Sequence, residues 1–179
     1  MVHIVAGILS LIQHIKILEE SGGYRLEHCL CCGRTGVWLH GYYPRKADRS
    51  SSGKSLNLIW IQRFFCPECK KTCSVLPECI PPRRWYLWEV QQAAFLLWIS
   101  GKSLYAVAKE VLPSRHTIKR WVDRFREQFR LHKDVLCNHF SVLGCKLDFT
   151  DFWEFCFNAI KISLSQAMHL CHVSGVAIP

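Results

Sequence analysis

The chain has 179 residues, half of them apolar and 21 % charged, with eleven cysteines and a formal charge of +9. That is too hydrophobic for a disordered tail and too short for a large multidomain enzyme; it fits one domain or two small ones with a modest core. Counted along the sequence, residues 21–84 carry eleven basic and four acidic side chains and residues 85–134 carry nine and five, while both ends are slightly acidic. Two adjoining basic modules facing a polyanion, most often nucleic acid, are the expectation.

Residues 2–18 are apolar-rich but interrupted by His3, Gln13, His14 and Lys16, which is too polar for a membrane span. Ile4, Ile8, Leu11, Ile12 and Ile15 fall on one helical stripe, so residues 1–22 are read as an N-terminal helix. A basic n-region and an A-x-A-like cleavage site are both missing, so a cytoplasmic, nucleoid-associated protein without membrane contact is expected. The cell interior is reducing, and thiols there bind metal more often than they pair.

Two Cys-x2-Cys knuckles follow. The first is Cys29-Leu30-Cys31-Cys32-Gly33 and the second is Cys66-Pro67-Glu68-Cys69-Lys70, with 33 residues between Cys32 and Cys66. A two-residue gap lets one tight turn offer both sulfurs to one ion, and two such turns complete the tetrahedral S4 set that Zn2+ favours. Cys29, Cys32, Cys66 and Cys69 are therefore the predicted zinc ligands. Only the 29/32 pairing keeps the spacing, which sets Cys31 aside. Cys73 and Cys79 read as small buried apolar residues, and His28 and His40 as structural or surface groups. With four thiolates and no open position, the site is expected to serve folding rather than catalysis.

Between the knuckles, Val37–Tyr43 and Leu56–Phe65 are β-prone, separated by a polar stretch carrying Arg45, Lys46, Arg49 and Lys54 around Ser50-Ser51-Ser52-Gly53. The prediction for residues 23–80 is a zinc ribbon: a long hairpin with the knuckles at its base and a basic tip that contacts phosphates.

Leu76-Pro77 and Pro81-Pro82 punctuate the chain, and residues 83–134 then read as a helix-turn-helix domain. Trp85–Ser100 is an apolar-rich helix stopped by Gly101. Ser103 caps a short helix with the stripe Leu104, Val107, Ala108 and Val111. Ser114 caps a third, with Ile118, Trp121, Val122 and Phe125 on its inner face. At 100° per residue, His116 and Arg120 lie roughly opposite Ile118. A recognition helix reads bases with its outward, N-terminal residues. His116 and Arg120, with Thr117, are thus candidates for base edges, and Arg115, Lys119, Arg124 and Arg126 for phosphates.

Residues 135–179 form a helical, apolar C-terminal segment. Asp148, Asp151 and Glu154 read as a solvated helix edge rather than a catalytic carboxylate cluster. A second metal set from Cys137, His139, Cys145, His169, Cys171 and His172 matches no familiar spacing. The apolar surplus fits packing or a partner surface. No catalytic residue is assigned, and no enzymatic activity is expected.

The run Ile61-Gln62-Arg63-Phe64-Phe65-Cys66-Pro67-Glu68-Cys69-Lys70-Lys71-Thr72-Cys73-Ser74 resembles the second knuckle of zinc ribbons in bacterial insertion-sequence proteins, roughly Arg-Tyr-x-Cys-x-x-Cys-x-x-Thr-Phe-Ser. With His40-Gly41-Tyr42-Tyr43-x-Arg45 and the helix-turn-helix, residues 25–130 are similar to transposon-associated zinc-ribbon proteins and to the N-terminal DNA-binding region of transposases. Cys73 stands where that pattern has Phe, and the acidic catalytic domain of transposases has no counterpart. The resemblance implies recognition of element ends, or repression of the element's own promoter.

The combined expectation is an α+β, mainly helical protein: an N-terminal helix, a zinc-ribbon hairpin, a helix-turn-helix bundle and C-terminal helices. Its predicted function is zinc-dependent binding of double-stranded DNA as a transposase-like or transposition-accessory protein, with a transposase or a second copy as further partner. The alternatives are a stand-alone transcriptional regulator using the same helix, and an interaction module that docks on a polymerase or a transposase.

Overall fold

The structure, a computed structural model, describes residues 2–46, 55–82 and 86–176. It is α+β and mainly helical, as expected, with four strands in one sheet and seven α-helices among the described residues. The chain divides into two compact units, Met1–Leu87 and Trp88–Pro179.

The first unit holds β1 (Val2–Val5), α1 (Leu11–Glu20), β2 (Trp38–Arg45), β3 (Ile59–Cys66) and β4 (Lys71–Pro77). The sheet order is β1-β4-β3-β2; β2, β3 and β4 form an antiparallel meander, and β1 lies parallel to β4. This corrects the N-terminal reading, because the apolar stripe over 2–18 is not one helix. Gly7 turns the chain at φ 78°, and Ser10 then starts α1 with a capping box in which its hydroxyl accepts from Gln13 N–H. A capped N-terminus cannot extend backward, so Ile4 is left in a strand and Ile8 in the turn. The hairpin likewise grows into a four-stranded sheet, since Lys71–Pro77 continues past the second knuckle as β4.

The core of this unit contains Leu11, Ile59, Ile61, Leu76, Cys79 and Ile80, flanked by Val2, Ile15, Tyr43, Leu56 and Leu87. Ile59 and Ile61 are fully buried, each worth about 1.5–3 kcal/mol of apolar transfer. Cys73 and Cys79 are buried, as read from the sequence. His14 is buried too. Its Nε2 lies 2.9 Å from the Trp60 carbonyl and its Nδ1 2.7 Å from the Tyr24 hydroxyl, an arrangement met by an Nε2–H imidazole that accepts from Tyr24. Most of the predicted basic tip, including Arg49, Lys54 and Ser50–Gly53, lies outside the described residues. Arg45 departs from that prediction: its guanidinium is half-buried and donates to the Pro81 carbonyl at 2.6 Å, so it braces the chain after β4.

The second unit holds α2 (Trp88–Ile99), α3 (Leu104–Glu110), α4 (Arg115–Glu127), α5 (Phe129–His139), a 3-10 turn (Ser141–Cys145), α6 (Phe149–Asn158) and α7 (Leu164–Val173). Trp85, where the sequence placed the start of the first helix, is outside the described residues. Gly101 follows α2 at φ 92°, the left-handed stop expected of it. Ser103, Ser114, Asp148 and Ser163 cap the helices they precede. The core is aromatic. Trp153 of α6 meets Phe95 of α2 at 5.9 Å and Phe125 of α4 at 5.8 Å, both edge-on, and stacks with Phe157 at 5.6 Å. The Leu164 amide donates to Gln92 Oε1 at 2.7 Å and ties α7 to α2. The C-terminal helices α6 and α7 thus share one core with α2 and α4.

Candidate functional site

The two knuckles are built differently from the same chemistry. In the first, the Cys29 carbonyl accepts from Gly33 N–H at 2.8 Å, Cys29 N–H donates to Arg34 O at 2.8 Å, and Gly33 sits at φ 70°. The second is the turn between β3 and β4, with Lys70 at φ 55° in the place corresponding to Gly33. Both turns need a left-handed residue just after their second cysteine, and glycine supplies it at no steric cost.

The turns bring the sulfurs of Cys29, Cys32, Cys66 and Cys69 within 4.8 Å of one another. Cys29 Sγ and Cys69 Sγ are 3.6 Å apart, and Cys32 Sγ and Cys66 Sγ 3.7 Å. A tetrahedron with metal–sulfur arms of about 2.3 Å has edges of about 3.8 Å, so four thiolates here can hold one metal ion. These separations are far beyond a disulfide bond, and no cysteine among the described residues is in a disulfide. The predicted four-cysteine set is therefore the one the fold assembles.

Cys31 stays outside it, exposed, with Lys71 Nζ 3.2 Å from its sulfur. His28 pairs as a β-bridge with Thr35, and His40 lies against the Phe65 ring at 5.7 Å; neither joins the sulfurs. Among the described residues no second group of three or more closes on a common point, so Cys137, His139, Cys145, His169, Cys171 and His172 make no metal set. Burial pushes the Cys171 thiol up to about 12.

Three of the thiols, Cys29, Cys32 and Cys69, differ in proton affinity. Backbone N–H groups of Cys31 and Cys32 aimed at its sulfur pull Cys29 down to about 6, while burial pushes Cys69 up to about 12. At Cys32 the Arg34 N–H pulls down, but burial and its hydrogen bonds to Cys29 and Cys66 outweigh this, and the thiol is held above its ordinary value. Metal loading at neutral pH must then displace protons from Cys32 and Cys69. Apparent metal affinity is expected to rise between about pH 6 and pH 8 by about a hundredfold per unit, one decade for each of the two displaced protons. Chelator competition across that range checks it, and a flat profile would refute thiolate ligation.

In the second unit α4 follows the predicted pattern. Ile118, Trp121, Val122 and Phe125 are buried, whereas Arg115, His116, Lys119, Arg120 and Arg124 are exposed and Thr117 is half-buried. Ser114 accepts from Thr117 N–H and its hydroxyl lies 3.2 Å from Thr117 Oγ1, which accepts from Arg120 Nη2 at 3.4 Å. Lys119 pairs with Asp123 at 2.6 Å. Arg126 is exposed, and its guanidinium lies 4.7 Å over Trp98 and 5.8 Å over Phe149, so part of it rests on aromatic rings at the surface. Asp148 caps α6, accepting from Thr150 and Asp151, which gives it a structural task. Asp151 and Glu154 line a shallow depression with Lys146, Phe155 and Asn158.

No helix among the described residues is long and apolar enough to cross a membrane. No curated protein and no solved structure matches the chain. A family model, described as a domain of unknown function (DUF6431), matches residues 29–121. The matched stretch opens on the first metal-site cysteine, contains all four, and closes inside α4 at Trp121. On that match, which spans half of the sequence, the chain belongs to the DUF6431 family.

Proposed function

We propose that the protein binds double-stranded DNA through α4, with the first unit held in shape by Zn2+ on Cys29, Cys32, Cys66 and Cys69. The observation that carries this reading is the two-sided character of α4. Four apolar side chains lock one face into the core, and a capped, cation-rich N-terminal half faces water. An all-thiolate tetrahedral donor set favours a soft, geometry-tolerant ion, and zinc is the commonest such ion at structural sites. The mobile-element setting rests on the resemblance of the second knuckle and of residues 25–130 to insertion-sequence proteins. There the duplex would be an element end or the element's own promoter.

Arg120 is the residue to test first. Thr117 holds its guanidinium near the start of the helix, where a bidentate contact to guanine is within its chemistry. Arg120→Ala is expected to cost about 1–3 kcal/mol on a preferred site and to relax one base position. Equal losses on every sequence would make Arg120 a phosphate contact. The overall reading is tested by selecting bound duplexes from a random pool with metal-loaded protein at near-physiological salt. An enriched motif supports it. Absence of enrichment, with binding only at low salt, overturns specific readout, because nonspecific phosphate contacts are strongly salt-dependent.

A further inference from the structure

One face of the sheet carries flat π-surfaces that neither the metal centre nor α4 uses. The register sets Trp38, Phe65 and Thr72 in one row across β2, β3 and β4, and Gly41, Arg63 and Ser74 in the next. Directly paired residues point to the same side of a sheet, so these side chains share a face. Trp38 is 59 % exposed and stacks on Phe65 at 6.1 Å. His40 is exposed at the β2 bulge and lies against the same Phe65 ring. Arg63 spreads over the Tyr43 ring at 4.8 Å. Between Trp38 and Tyr43 stands Gly41, where an added Cβ would meet nothing within 4 Å, so the floor there is bare backbone.

An exposed indole and imidazole grouped with half-buried rings on a rigid sheet form a patch that fits a partner surface. Charge points to the occupant. Residues 21–84 carry eleven basic and four acidic side chains, and Arg63 lies within the face itself. A polyanion is therefore the complement. A duplex hides the faces of its bases, whereas an unpaired strand presents both faces and backbone phosphates together. We infer that the Trp38–Phe65–His40–Arg63 face binds single-stranded nucleic acid, with bases stacked on Trp38 and Phe65 and the backbone held by Arg63. This site is separate from the duplex contact of α4.

The test uses the metal-loaded full chain with short fluorescent oligo-dT, oligo-rU and a mixed-sequence duplex, read by anisotropy. Trp38→Ala is expected to weaken oligo-dT binding about tenfold. Trp38→Tyr should restore it, and both variants should keep the metal content and the duplex affinity. Arg63→Gln should weaken binding and flatten its salt dependence. Comparing oligo-dT with oligo-rU assigns the face to DNA or RNA. Undiminished oligo-dT binding by Trp38→Ala, or an equal loss on the duplex, would overturn the inference, as would no binding of single strands by the unaltered protein. Tight single-strand binding with no duplex preference would leave this face standing and sink the α4 reading instead.

Discussion

Cys66→Ser is expected to abolish stoichiometric metal binding and to unfold the first unit while leaving the helices of the second in place. Cys66 closes β3, and its sulfur lies 3.7 Å from that of Cys32. A serine hydroxyl is a poor thiolate substitute for a soft metal. Structural zinc in small domains contributes about 10–16 kcal/mol of apparent binding free energy at neutral pH, as large as the whole stability of an ordinary domain. Losing a ligand therefore removes more stability than the core around Ile59 and Ile61 can replace. Metal analysis, far-UV circular dichroism and protease mapping read the outcome. Metal retained at one equivalent with unchanged spectra would refute the ligand set. Treating the unaltered protein with a strong chelator should reproduce the variant, and protease cleavage should then concentrate before Leu87.

The second large effect belongs to the other unit. Trp153 is fully buried, and its ring touches Phe95, Phe125, His132, Phe152 and Phe157. Trp153→Ala is expected to cost about 3–5 kcal/mol, the transfer term plus the cavity left among rings that cannot collapse far. Trp153→Phe should cost much less than this. It keeps most of the ring contacts and removes an indole N–H that is buried with no hydrogen-bond partner among the described residues. Urea unfolding of the helical unit discriminates the two, and similar midpoints for both variants would show that the site is loosely packed. Because α4 is pinned to this core through Phe125, duplex binding should fall with Trp153→Ala at temperatures where the unit begins to melt.

What could be read from the sequence follows from how local each signal is. The Cys-x2-Cys pairs are local turns with one chemical purpose, so their ligand set was legible to the residue. The α4 stripe was legible because Ile118, Trp121, Val122 and Phe125 repeat at the helical period and Ser114 marks the start. The N-terminal strand was hidden because Ile4 and Ile8 fit the helical stripe begun by Leu11 and Ile15. Only the pairing of Val2–Val5 with Ser74–Pro77 overrides that, and it lies some 70 residues away. β4 was missed because Lys71–Pro77 has few β-branched residues and follows directly on a metal turn. Arg45 differs from the sequence expectation because a long basic side chain need not reach for solvent: its guanidinium braces the Pro81 carbonyl. The aromatic face around Trp38 needed the register, which sequence alone does not set.

The parallel pairing of β1 with β4 also dictates an order of events as the chain is made. β1 cannot be seated when it is made, since its partner emerges some 70 residues later. A metal ion held by the knuckles would shorten that wait. By linking the Cys29 and Cys69 turns it would cut the effective loop between the two strands to about half, and each halving returns about 0.6 kcal/mol of closure entropy. Metal binding would in this way favour the docking of β1 on β4, which sets the Gly7 amide against the Glu78 carboxylate.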